Sequence, residues 1–388
     1  MSTIKWSPVT SQLVDQSPGT VVVGAPGSGK TFALLNFAAN CLGMGQRVVA
    51  IDPKNDFDKL LNVNPNIKII NIKKIKPGAL NPFEFLKKYD PDTNQVKYLD
   101  TSTLLTIIEL LCGKLDKQTN VAITPIISDF VTRAKMKNEY VDLQDVADYL
   151  FANQNEYAQN VGTILKMYED NEFGPLLFTR EEHVEPLVLS PTDSMIFILH
   201  GLNLPDYTKK PEDYDANERF TSTIVYIITS KLLDILTSDT KIPTTLICDE
   251  AHLLFGNKEM SAVIDKFLVL GRSLNIATIL ASQGISHFSD GIANYITTKF
   301  MFKSSMEESK LFLEKFNSAN LNASTAIDTN SIIAAAAEFP KGVCFMMDRN
   351  GRNGIIKIKS IYDISLLTSN PIEKIRQNAE DAVDKMQN

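Results

Sequence analysis

The 388-residue chain predicts an α/β fold on a mainly parallel sheet, with an all-α insertion set into it. Three observations carry that expectation. Short apolar runs rich in β-branched residues recur down the chain, helical stretches separate most of them, and one long segment breaks the alternation with helices alone. The runs lie at residues 20–23, 48–51, 67–72, 195–199, 246–248, 277–280, 299–302 and 343–347. Most are continuous rather than alternating, as strands buried on both faces of a parallel sheet must be. In such a sheet, ligand groups gather at the carboxyl ends of the strands.

The first run leads straight into Gly24, Ala25, Pro26, Gly27, Ser28, Gly29, Lys30 and Thr31, and residues 32–42 then read as a helix. Glycines at this spacing between a strand and a helix, closed by a lysine and a hydroxyl residue, make a phosphate-binding loop. Bare backbone N–H groups converge on phosphate oxygens, and the helix start adds its positive dipole end. The stretch from Gly24 to Phe32 is therefore expected to bind ATP. Lys30 should reach the β- and γ-phosphates, and the Thr31 hydroxyl should ligate Mg²⁺.

From residue 84 to 188 little reads as strand, while 101–111, 121–133, 143–151 and 161–168 read as helices. Roughly 220 residues separate Lys30 from the acidic pair Asp249 and Glu250, more than a compact nucleotide domain needs, and an insertion accounts for the excess. The expected organisation is a core of residues 1–83 and 189–365, the insertion at 84–188, and a tail at 366–388. That tail places Ile372, Ile375, Ala379, Val383 and Met386 mostly three or four apart, an amphipathic helix that packs on the body or on a partner.

Asp249 and Glu250 end an apolar run, Leu246-Ile-Cys. Beside a phosphate loop, such a pair divides the work: Asp249 holds the magnesium shell, and Glu250 orients and deprotonates the attacking water. Gln283 ends the next run and either reads the γ-phosphate or serves as a structural amide. Arginines are few. Arg349 and Arg352 follow residues 343–347 in an Asp-Arg-Asn-Gly-Arg turn; one of them, Arg349 first, either meets transition-state charge in a neighbouring subunit or is simply solvated. Arg272 reads as structural.

A net charge of −7 excludes a surface that embraces nucleic acid as a whole, so any DNA contact must be local. Lys68, Lys73, Lys74 and Lys76, with Lys54 and Lys59 upstream, read as a solvated face around a strand edge. The four cysteines lack a Cys-x-x-Cys pair and read as small buried hydrophobes, and the four histidines lack ligand spacing. No run of about 18 uncharged apolar residues occurs, and the first residues lack a signal-peptide stretch, so a cytoplasmic location is expected.

With these residues assembled, the chain resembles the C-terminal ATPase domain of the VirB-four family, the conjugative-transfer motors of type IV secretion systems within the HerA/FtsK superfamily. The resemblance spans residues 20–360. It is carried by Gly24-Ala-Pro-Gly-Ser-Gly-Lys-Thr31, Val48-Val-Ala-Ile-Asp-Pro53, Leu80-Asn-Pro-Phe83, Cys248-Asp-Glu-Ala-His252, Leu270-Gly-Arg-Ser-Leu-Asn-Ile276, Ala281-Ser-Gln283 and Lys341-Gly-Val-Cys-Phe345. It implies a RecA-like core, a homo-hexamer, and an ATP-driven role with secretion-channel proteins at the inner face of a membrane. It also implies a place for Asp52 near the nucleotide. Two departures stand out: family members carry a long domain ahead of the motor, whereas this chain begins shortly before Gly24, and Ser273 and Leu274 stand where the family is more basic. The competing functions are a DNA-translocating or genome-packaging ATPase, a nucleotide-switched interaction module with slow turnover, and, most distantly, a small-molecule kinase.

Overall fold

Strand β1 (Gly19–Val23) is buried along its whole length and lies inside a nine-stranded sheet rather than at its edge. A computed structural model describes residues 19–90, 95–137, 140–179, 184–206, 209–238, 240–255, 258–288, 290–317, 329–348 and 352–359. After β1 come helix α1 (Lys30–Gly43), β2 (Arg47–Asp52) and β3 (Lys68–Asn71). A short hairpin, β4 (Lys88–Asp90) and β5 (Gln95–Lys97), opens the helical block, which continues with α2 (Thr101–Cys112), α3 (Lys117–Lys137), α4 (Leu143–Phe151) and α5 (Glu156–Lys166). The chain then returns to the sheet through β6 (Met195–Ile198), α6 (Ala216–Ser238), β7 (Thr244–Asp249), α7 (Lys258–Leu270), β8 (Ile276–Ser282) and β9 (Ile296–Met301). Helices α8 (Met306–Asn317) and α9 (Thr329–Ala337) precede a closing hairpin of β10 (Val343–Met347) and β11 (Asn353–Lys357).

The strand order is β11-β10-β9-β1-β8-β7-β2-β6-β3. From β9 to β3 every neighbouring pair is parallel, and β10 and β11 add an antiparallel edge. All eight apolar runs read from the sequence lie in this sheet. Strand β11 was not among them. It is an edge strand with alternating exposure, and its short Asn-Gly-Ile-Ile-Lys sequence offers no continuous apolar run. The three-residue strands β4 and β5 are likewise too short to show a period.

Two hydrophobic clusters cover the two faces. One joins α1 (Ala33, Leu34, Ala38) to Val22, Val48, Ala50, Ile247 and Ile279. The other takes the alternate residues, Val21, Val23, Val49, Ile51 and Leu280, and runs without a break through α6 and α7 into the helical block, to Leu104, Ile127, Leu150 and Leu165. The block therefore shares the core of the sheet. Asn81, fully buried, fastens the junction: its side chain accepts from the Phe83 N–H and donates to the Val141 carbonyl.

Within the block, side-chain oxygens satisfy the helix starts. Asp100 accepts from the Thr103 N–H, Asn155 from Tyr157 and Ala158, and Asp142 forms a reciprocal capping box with Asp145. Helix α6 is long and apolar enough to cross a membrane by length and composition, yet 72% of its most apolar window is buried inside the fold. It is a core helix. The C-terminal helix expected at 366–388 lies outside the described residues.

Gly162 is where α4 and α5 touch. A Cβ there would stand 2.9 Å from the Ala147 carbonyl oxygen and nearer still to the Phe151 nitrogen, both backbone atoms that have no rotamer to give. Gly162→Ala should cost about 1–3 kcal/mol in urea denaturation, despite the better helix propensity of alanine. A stabilised variant would contradict this packing.

Candidate active site

The phosphate loop grows out of the middle of the sheet. Its three left-handed glycines, Gly24, Gly27 and Gly29, have φ of 157°, 74° and 105°. Gly29 needs the missing side chain as well as the φ: a Cβ would sit 2.8 Å from the Gly342 nitrogen, and that N–H donates to the Ser28 carbonyl at 2.9 Å. The Lys341–Gly342 turn before β10 thus braces the loop from outside. Pro26 and Gly27 form the exposed tip, and the first turn of α1, from Lys30 through Phe32, presents helix-start N–H groups to it.

Parallel register brings the acidic pair alongside. Val23 at the end of β1 lies opposite Ser282 of β8, and Ala281 of β8 lies opposite Asp249 of β7. Two strand spacings, about 10 Å in all, then separate the ends of β1 and β7. The first turn of α1 closes that gap: the Thr31 hydroxyl donates to Asp249 Oδ2 at 2.9 Å. Lys30 Nζ folds under the loop onto the carbonyls of Gly24 (2.5 Å) and Ala25 (3.1 Å).

Glu250 is held at its backbone and at Oε1. Its backbone is left-handed, φ 101° and ψ 59°, a conformation that costs a non-glycine residue about 1–3 kcal/mol and persists only where the surroundings dictate it. Here the Glu250 N–H donates to the Ala281 carbonyl, Gln283 Nε2 donates to Oε1 at 3.2 Å, Lys54 Nζ forms an ion pair with the same oxygen, and His252 Nδ1 lies 3.5 Å from Oε2. Burial would push this carboxyl up, but the adjoining His252, Lys54 and Gln283 side chains and the Lys54 charge outweigh it and hold the group at about 2. Asp249 goes the other way: burial dominates and raises it to about 6, against the opposing pull of Lys54. Burial also lowers the Lys30 ammonium, opposed by the charges of Asp249 and Glu250.

Lys54 was read from the sequence as part of a solvated basic face, and that reading is corrected. The strand end at Asp52 carries it onto Glu250, with which it forms an ion pair. Asp52 is the cause. Fully buried, its carboxylate accepts from the N–H groups of Lys54 (3.1 Å) and Phe57 (2.8 Å), and so ties down the turn that carries the lysine. The signal available in the sequence was position: Lys54 follows a central parallel strand at the same edge as the phosphate loop.

Arg272 and Arg352 are not brought here. Arg272 precedes β8, at the end of the sheet opposite Gln283. Arg352 follows the antiparallel β10, also at the far end, where its backbone N–H and Nε both bind the Asp348 carboxylate. Arg349 lies outside the described residues.

The sequence profile of the AAA-like domain family matches residues 10–369. The chain belongs to that family. It is a P-loop ATPase. Among proteins with curated descriptions, none matches it. In fold, this AAA-like ATPase is similar to VirB4 of Thermoanaerobacter pseudethanolicus, at TM-score 0.65 and 16% identity over 91% of this chain and 92% of that one. It is also similar to the bacterial conjugative coupling protein TrwB in a sulphate complex, at TM-score 0.54 and 15% identity over 89% and 85%.

Gly29→Ala in this AAA-like ATPase should break the Gly342 brace and distort the loop. The expected outcome is at least about tenfold weaker binding of a fluorescent ATP analogue, with the fold retained by circular dichroism. Affinity equal to that of the parent chain would contradict the assignment.

Proposed function

We propose that this chain is an Mg·ATP-hydrolysing motor of a conjugative-transfer or type IV secretion apparatus, with Glu250 as the general base. The observation that carries the catalytic half is the convergence of the Thr31–Asp249 hydrogen bond and the Glu250–Gln283 pair at one edge of the sheet. The transport half rests on the whole-chain likeness in fold to VirB4.

In this reading the loop amides and Lys30 hold the β- and γ-phosphates. Glu250 accepts a proton from water as the water oxygen bonds to the γ-phosphorus and the bond to the β–γ bridging oxygen breaks, leaving ADP and phosphate. Glu250 is ionised among these neighbours, as a proton acceptor must be. Gln283 contacts the same carboxylate and would pass the state of the γ-phosphate into β8. The Thr31 hydroxyl and the Asp249 carboxylate are hard oxygen donors held together, a set that fits magnesium and would hold it. Magnesium, when bound, supplies charge neutralisation on the β- and γ-oxygens.

This reading assigns to Arg349 the charge supplied to a neighbouring subunit of a homo-oligomer, a hexamer. The ring would work at the cytoplasmic face of a membrane through channel proteins, with any DNA contact local.

Steady-state ATP hydrolysis at low salt, with and without single- and double-stranded DNA, tests the proposal. Glu250→Gln should lower turnover by about 10²–10⁴-fold while ATP still binds, and activity per mole should rise with protein concentration. Turnover unchanged in Glu250→Gln would return the chain to a nucleotide-switched binding module. Strong stimulation by DNA that moderate salt abolishes would favour a DNA translocase.

A further inference from the structure

Lys54 serves the reading above only by helping to keep Glu250 ionised, yet it makes the closest contact to the proposed base. Its root is fixed, since Asp52 clamps the Lys54 N–H and the turn that follows, with Asn55 left-handed at φ 63°. The side chain as a whole is 52% exposed, whereas that of Glu250 is 5% exposed. A flexible four-carbon arm on an anchored pivot can move its charge without moving the strand.

Geometry sets where that charge can go. A water deprotonated by Glu250 sits about 2.6–3.2 Å from its carboxylate oxygen and about 3–3.5 Å from the atom it attacks. The γ-phosphorus therefore lies at most about 6–7 Å from that oxygen. Lys54 Nζ, touching Oε1, is within one side-chain swing of the γ-phosphate oxygens. A terminal phosphate spreads more negative charge over more oxygens than a carboxylate does, and an ammonium is a good point-charge partner for it. The β-phosphate, gripped by the loop and Lys30, lies farther from Glu250.

We propose that Lys54 is a γ-phosphate sensor: its ammonium exchanges between the Glu250 carboxylate and a γ-phosphate oxygen of bound ATP, leaving Glu250 Oε1 to the attacking water. Lys54 is then a second phosphate-binding lysine, specific for the triphosphate, and it couples recognition of ATP to release of the base. The inference rests on the hydrolytic reading of Glu250.

The test measures dissociation constants for Mg·ADP and for a β,γ-imido ATP analogue, together with turnover, in the parent chain, Lys54→Gln and Lys54→Arg. Lys54→Gln should bind ADP within about twofold of the parent chain and the imido analogue about ten- to a hundredfold more weakly, the span expected for one hydrogen bond to a charged group. Turnover should fall with it, and Lys54→Arg should recover most of the discrimination. Equal weakening of both nucleotides, or of neither, overturns the proposal, as does faster turnover in Lys54→Gln, which would make Lys54 only a restraint on the base. Glu250→Gln run alongside separates the failures: if that variant hydrolyses ATP normally the hydrolytic reading falls, whereas unchanged ADP and analogue binding in Lys54→Gln removes only the sensor.

Discussion

The register of β7 on β8 and of β8 on β1 is the constraint on which the site depends. Level strand ends, Val23 opposite Ser282 and Ala281 opposite Asp249, place a phosphate loop and an acidic pair two strand spacings apart. Sliding any strand by one residue would turn its side chains to the other face and withdraw Asp249 from Thr31. The hydrophobic clusters on the two faces make such a slip costly, because Val21, Val22 and Val23 each have an assigned side. A contact between residues 218 apart in the chain is thus set by apolar side chains that never meet the nucleotide.

The same topology gives the sheet two unlike ends. At the carboxyl ends of the parallel strands lie the loop, Asp52, Lys54, Asp249, Glu250 and Gln283. At the other end lie Arg272 and the Asp348–Arg352 pair, carried there because β10 runs antiparallel to β9. The β10 strand is also bound to the near end through the Gly342 brace on Ser28. A single five-residue strand therefore spans from the phosphate loop to the far edge of the sheet.

Much of this was legible in the amino-acid sequence because parallel strands buried on both faces leave uninterrupted apolar runs, and because a phosphate loop needs glycine at fixed places. Gly24–Thr31, Asp249, Glu250 and Gln283 could be read on those grounds, and the structure brings them to one edge. Lys54 could not. A lysine two residues beyond a strand resembles any solvated lysine until the fold shows what lies across the sheet. Asp52 was assigned a neighbourhood but no task, since a carboxylate that clamps a turn looks the same in sequence as one that meets a ligand. The continuity of the helical block with the sheet core was hidden for a related reason: helical periodicity shows which face is buried, never against what.

In the proposed mechanism Thr31 and Asp249 would jointly hold the metal of a bound nucleotide. Crystals grown with Mn²⁺ and a non-hydrolysable ATP analogue, read by manganese anomalous scattering, test it most directly. A single peak is expected within ligand distance of both Thr31 Oγ1 and the Asp249 carboxylate or its water shell. A manganese peak elsewhere, or nucleotide bound with no peak at this pair, would contradict it.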